Sequence, residues 1–157
     1  MRNLPCQLFL LAAILLLIPT CHKETEEDKV RKVITNVQKS AEEKKIMSVL
    51  EQVSKTYQDP QGNNYDGIKG LLAFYFFRHQ KVSVFIPDID IVMTGPAATA
   101  TLQAILTGRG TGEAAAPAFL PEALGAYNFE VHLKQEEGRW KITSAKWERA
   151  GDGAASP

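Results

Sequence analysis

Apolar residues recur along this chain in two rhythms, helical over the first half and alternating over the second. Val30, Val33, Ile34 and Val37 stand at i, i+3, i+4 and i+7, which predicts one apolar stripe on a charged helix. Ile46, Val49, Leu50, Val53 and Tyr57 continue in a new phase. Between the stripes, Ser40 with Glu43 matches a capping box and predicts a fresh start, so two helices, or one with a kink, cover roughly 26–57. The turn formers from Gln58 to Asn64 end the second helix. Asp66 then caps a third, Gly67 to Gln80, whose centre from Leu71 to Phe77 is apolar on every side. That pattern predicts a helix lodged in the middle of the domain.

From Lys81 the period becomes two. Val82, Val84 and Ile86 alternate with Ser83, Phe85 and Pro87, then Asp88 and Asp90 with Ile89, Ile91 and Met93. Residues 97–107 form a further strand candidate, and 108–122 a low-complexity loop. Tyr127, Phe129, Val131 and Leu133 alternate with polar residues, Glu136-Glu137-Gly138 turns the chain, and Trp140, Ile142 and Ser144 alternate on the return. Helices followed by an antiparallel sheet define an α+β order.

The first 21 residues read as an address. Met1 and Arg2 give a short positive start, and Leu8 to Ile18 is unbroken apolar sequence. As a helix this run spans about 17 Å, against a hydrocarbon core of about 30 Å. It is short for a transmembrane span and has the order of a secretory signal peptide. Ile18-Pro19-Thr20-Cys21 resembles the bacterial lipoprotein pattern, in which the cysteine is acylated and becomes the new N-terminus. Pro19 and Thr20 depart from the small residues usual there. Cleavage would remove Cys6 and acylation would block Cys21, leaving the mature chain without a thiol, which suits an oxidising periplasm. An ordinary signal peptide and an uncut anchor are the other readings. His22 rather than Asp follows the cysteine, which leaves the outer membrane as the favoured destination.

These boundaries give a leader over 1–20, a tether over 21–29, one domain over 30–149 and a tail over 150–157. The chain has 18 basic and 18 acidic side chains, and loss of Arg2 with the leader leaves 17 against 18. Such a balance offers no electrostatic footprint for nucleic acid.

At the final hairpin, Glu137-Gly138-Arg139-Trp140-Lys141-Ile142-Thr143-Ser144-Ala145 with Trp147 and Glu148 resembles the last two strands of the nuclear transport factor two-like superfamily. That superfamily is also called SnoaL-like or ketosteroid-isomerase-like. The resemblance implies three N-terminal helices packed on a strongly curved antiparallel sheet, a cone-shaped, cystatin-like fold over roughly 26–149. Gly138 would permit the turn, Trp140 and Ile142 would fill the cone, and Trp147 would close its edge. Within the superfamily the chain looks most like a branch of bacterial lipoproteins without an assigned activity.

The catalytic pattern of the isomerase branch does not carry over, because the first helix turns Val30, Val33, Ile34 and Val37 inward and no tyrosine. Tyr57, Tyr75, His79 and Asp90 are the candidate pocket residues, and no catalytic residue is assigned. Asp59 sits before Pro60 in a turn, and Asp88 with Asp90 read as solvated strand acids. His22 and His132 fall in the tether and on a polar strand face. No His or Cys spacing fits a metal, so neither metal nor cofactor is expected. Gly108, Gly110 and Gly112 lack the lysine and following helix of a phosphate cradle.

The expectation is a protein attached through Cys21 to the periplasmic side of the cell envelope. It would bind a small apolar ligand in the cone or a protein partner on the open sheet face, with a homodimer compatible with that face. The alternative is a cofactor-free isomerase, dehydratase or hydrolase using acid and base groups in the cone, and the absence of a paired acid and base leans against an enzyme.

Overall fold

The structure, a computed structural model, describes residues 23–110 and 125–151. The leader, Cys21, residues 111–122 of the low-complexity loop and the end of the tail lie outside the described residues, whereas residues 108–110 of that loop continue a strand instead.

Helix α1 spans Glu26–Glu42. Its reciprocal capping box is formed by Thr25 and Asp28: the Asp28 N–H donates to Thr25 Oγ1 (3.1 Å) and the Thr25 N–H to Asp28 Oδ2 (2.9 Å). Residues 26–29 are therefore helix rather than tether. Ser40 lies inside α1 and caps nothing. The break comes at residues 43–45, where Lys44 takes a φ of 56°. Helix α2 is short, Ile46–Leu50. The apolar stripe continues beyond it but the helix does not. Val53 and Tyr57 are buried on extended and turn backbone. There the Ser54 N–H donates to the Ile142 carbonyl (2.8 Å) and the Ile142 N–H to the Gln52 carbonyl (2.9 Å). The edge of the sheet has taken over the hydrogen bonds that a longer helix would have made, which also covers part of that edge.

Helix α3 is Tyr65–Arg78, capped by Asn64, whose Oδ1 accepts the Gly67 N–H at 2.9 Å. Asp66 is inside the first turn and exposed. The expected central burial does not occur. Phe76 alone in this helix is buried, and Phe77 is 87 % exposed. The concave sheet face is already occupied by α1, so α3 packs along one side of the cone and leaves its other face in water.

The sheet has five antiparallel strands: β1 His79–Phe85, β2 Ile89–Thr94, β3 Ala97–Gly110, β4 Gly125–Glu136 and β5 Arg139–Arg149. Their order is β1-β3-β4-β5, with β2 also on β3. The long β3 pairs through 97–102 with β2 and through 105–110 with β1, so the two short strands follow one another along one edge. Glu137 (φ 49°) and Gly138 (φ 76°) make the β4–β5 turn. Two successive positive φ values suit the right-handed twist of the flanking strands, and the glycine accommodates one without strain.

Alternation sorts the faces. Ala98, Ala100, Leu102, Val131, Leu133, Trp140 and Ile142 point to the helices and form one core with Val30, Val33 and Ile34. Thr101, Gln103, Asn128, Glu130 and His132 lie on the outer face. Side chains of α1 satisfy the free edge of β1 and β2. Gln38 Nε2 donates to the Val84 carbonyl (2.7 Å), the Val84 N–H to Glu42 Oε1 (2.9 Å), and Arg31 Nη1 to the Ile89 carbonyl (2.9 Å).

Candidate functional site

Between α3 and the sheet lies a cavity of about 190 Å³. Its wall comes from every layer of the fold: Ala41 of α1, Ile68, Leu71, Leu72, Tyr75 and Phe76 of α3, and Val82, Val84, Leu106, Phe129 and Trp147 of the sheet. The i, i+3, i+4 spacing of Ile68, Leu71, Leu72, Tyr75 and Phe76 puts them on one helix face. Phe129 and Trp147 are cross-strand partners with ring centroids 6.2 Å apart. The lining is apolar throughout.

Of the four candidate pocket residues, Tyr75 alone is on this wall. Burial, and secondarily the neighbouring Tyr127, push its phenol up to about 12, so it is protonated at neutral pH. His79 is buried directly behind it, ring centroids 4.3 Å apart. Both the His79 backbone N–H and its ring Nδ1 meet the Tyr75 carbonyl, the latter at 2.8 Å. A carbonyl only accepts, so Nδ1 carries the proton. The imidazole closes the C-terminus of α3, a place that suits a partial positive charge.

Tyr57 is buried in the core, away from the cavity wall. Its hydroxyl donates to Asp59 Oδ2 at 3.2 Å, and burial first, then the Asp59 charge, raise its pKa well above the ordinary phenol value. Asp59 is buried too, and it also accepts the Asn63 N–H and Asn63 Nδ2, each at 2.8 Å. Three donors bind this carboxylate within one turn, which makes it the organiser of the 59–63 loop. Asp90 is exposed and pairs with Thr101 on the outer face, one residue out of phase with buried Ile89. A period of two sends adjacent residues to opposite faces, and Asp90 drew the outer one. The lining residues Val82, Val84, Leu106 and Phe129 had no signal of their own in the sequence beyond alternation. Among the described residues, no three His, Cys, Asp or Glu side chains are grouped as metal ligands.

This is a half-barrel sheet wrapped on helices, with an apolar cavity between α3 and the concave face. The chain has the nuclear transport factor 2-like, cystatin-like fold. A proposed scytalone dehydratase from Novosphingobium aromaticivorans superposes with a TM-score of 0.69 at 13 % identity, over 80 % of this chain and 84 % of that one. A nuclear transport factor 2-like superfamily protein from Salmonella enterica gives 0.65 at 13 % identity, over 82 % and 94 %. A cystatin-like-fold protein from Nostoc punctiforme gives 0.62 at 11 %, over 83 % and 96 %. No protein-family model matches the chain, and no curated protein does.

Proposed function

We propose that this chain is a lipid-anchored cell-envelope protein that binds a small apolar ligand in its cone. The observation that carries the ligand is the cavity wall, which can desolvate an apolar group and places no acid–base pair against it. The anchor rests on the Ile18-Pro19-Thr20-Cys21 segment. Folds of this kind include the Novosphingobium protein described as a dehydratase, which keeps an enzyme in view as the second reading. The Tyr57–Asp59 pair favours it in residue types, but it faces its own turn. A dehydratase, isomerase or hydrolase would need a proton donor or acceptor within reach of the bound molecule.

Native mass spectrometry on the Cys21→Ser chain, purified without detergent, tests the ligand. A co-purifying mass released on activation is the expected result. Leu72→Trp, which fills the cavity from a half-buried helix position, should abolish that mass while the chain stays folded. An adduct that survives Leu72→Trp would place the ligand elsewhere and overturn the reading.

A further inference from the structure

The cavity and the N-terminal end of the domain lie at opposite poles, and two elements measure the separation independently. In α1, Glu26 at the start accepts the Trp140 Nε1–H at 2.8 Å, while Ala41 near the end lines the cavity. Their helical separation is about 23 Å at ~1.5 Å per residue. In β5, Trp140 stands at the start and Trp147 on the cavity wall. Extended strand at ~3.3 Å per residue again gives about 23 Å. Helix and strand therefore both run from a tether pole to a cavity pole. Glu24, Lys29, Lys32, Gly138, Arg139 and Trp140 line a groove at the tether pole.

Two residues of sequence separate Cys21 from Glu24. An acylated Cys21 would hold the groove against the lipid headgroups and leave the cavity on the far side. In the groove Lys29 is paired with Glu26 (2.6 Å) and Lys32 with Glu24 (3.4 Å), while Arg139 and Lys141 add cations that suit anionic headgroups at this pole. The size of the cavity narrows the ligand further. A dry apolar cavity of about 150 Å³ accepts benzene, so 190 Å³ gives room within the walls for one ring with a short substituent. Four of the lining side chains, Tyr75, Phe76, Phe129 and Trp147, are themselves aromatic and offer faces and edges to a ring.

We propose that the cavity takes single-ring aromatic molecules from the aqueous side, at the pole turned away from the anchoring membrane, and does not draw lipid from that membrane. This rests on both parts of the reading above, the anchor at Cys21 and the ligand in the cavity.

The test uses the full chain, acylated in a bacterial host and attached to phosphatidylcholine–phosphatidylglycerol vesicles that carry a headgroup energy acceptor. Arg139→Cys and Phe77→Cys, both at exposed positions, take the same donor label, and an acylated Cys21 has no thiol to compete. Transfer should be clearly stronger from position 139 than from 77. para-Cresol, read by quenching of Trp147, should bind within about two-fold of its affinity for the Cys21→Ser chain in solution. Transfer from position 77 equal to or above that from 139 would mean that Phe77 and α3 lie on the bilayer, and it overturns the proposal. Loss of para-cresol binding on vesicle attachment overturns it too. If either labelled variant fails to fold, Trp147→Phe gives the second measurement. It should remove the smaller share of intrinsic tryptophan transfer to the headgroups, and removal of the larger share counts against the proposal. The underlying readings fail through other signals. A chain that does not float with vesicles removes the anchor, and a chain that binds no para-cresol, free or attached, removes the ligand, each taking the proposal with it.

Discussion

Asp59 and Tyr57 have the residue types of a proton-transfer pair, and their hydrogen bonds assign them to the scaffold instead. The carboxylate is spent on Asn63 and Tyr57, so removing it leaves two donors of the 59–63 turn and the donor proton of one buried hydroxyl without an acceptor. Asp59→Ala should therefore cost about 2–3 kcal/mol in urea denaturation, since each orphaned buried group carries its own desolvation penalty. para-Cresol affinity should be unchanged, because neither side chain lines the cavity. The tyrosines add a pH dependence whose sign follows from proton binding. An unfolded phenol releases its proton near pH 10, whereas buried Tyr75 holds its own to about 12. Between those values the folded state binds more protons than the unfolded one, so stability falls as pH rises from about 10 towards 12. Tyr57 is raised in the same direction by burial and by Asp59, and it extends the trend. Urea midpoints measured across this window should drop, and Tyr75→Phe should make the drop shallower. A midpoint that stays level or rises would show that these phenols are not buried as described.

At the scale of elements, periodicity located what is apolar better than it located what is buried. The stripes of α1 and the alternation of β4 and β5 were legible because each packs one face on one partner. The second stripe misled, since Val53 and Tyr57 keep helical spacing while the backbone between them bonds to β5. Local sequence carries no mark of a strand edge some 90 positions away. Helix α3 misled for the opposite reason: an all-round apolar surface suits a central helix, yet the face carrying Phe74 and Phe77 is open. Substitutions separate the two faces. Phe76→Ala should destabilise by about 3–5 kcal/mol through loss of a buried ring, while Phe77→Ser should stay within about 0.5 kcal/mol in the same urea titration. The candidate site was legible only through Tyr75, because which strand residues converge on α3 depends on curvature and register, which are tertiary properties. Gln38 and Glu42 lie off the apolar stripe of α1, and no pattern in the sequence marks that they close the edge of β1 at Val84. Replacing both by Ala should raise hydrogen exchange at the Val84 amide about ten-fold or more above its neighbours, consistent with the loss of about 1–2 kcal/mol of local protection.

For the whole molecule, the fold and the proposed address rest on different parts of the sequence and are tested separately. The domain is held by its own core, built from α1 and the concave sheet face, and no contact among the described residues requires the leader. Among those residues no helix is long and apolar enough to cross a membrane, and the proposed attachment rests on the N-terminal segment. If Cys21 carries the lipid, Cys21→Ser should leave the domain folded, with the urea midpoint of the acylated chain unchanged, and move it from the membrane to the soluble fraction. An uncut anchor predicts a different pattern, because Leu8 to Ile18 would stay on the chain and hold it whatever residue stands at position 21. Intact-mass measurement separates the cases without relying on fractionation. A lipoprotein begins at residue 21 and gains the mass of its acyl groups, an ordinary secreted chain begins after the leader without them, and an anchored chain retains residues 1–20. A mature chain starting at Cys21 without added acyl mass would remove the proposed tether, and the proposed orientation of the cavity would then lose the membrane that gives it a direction.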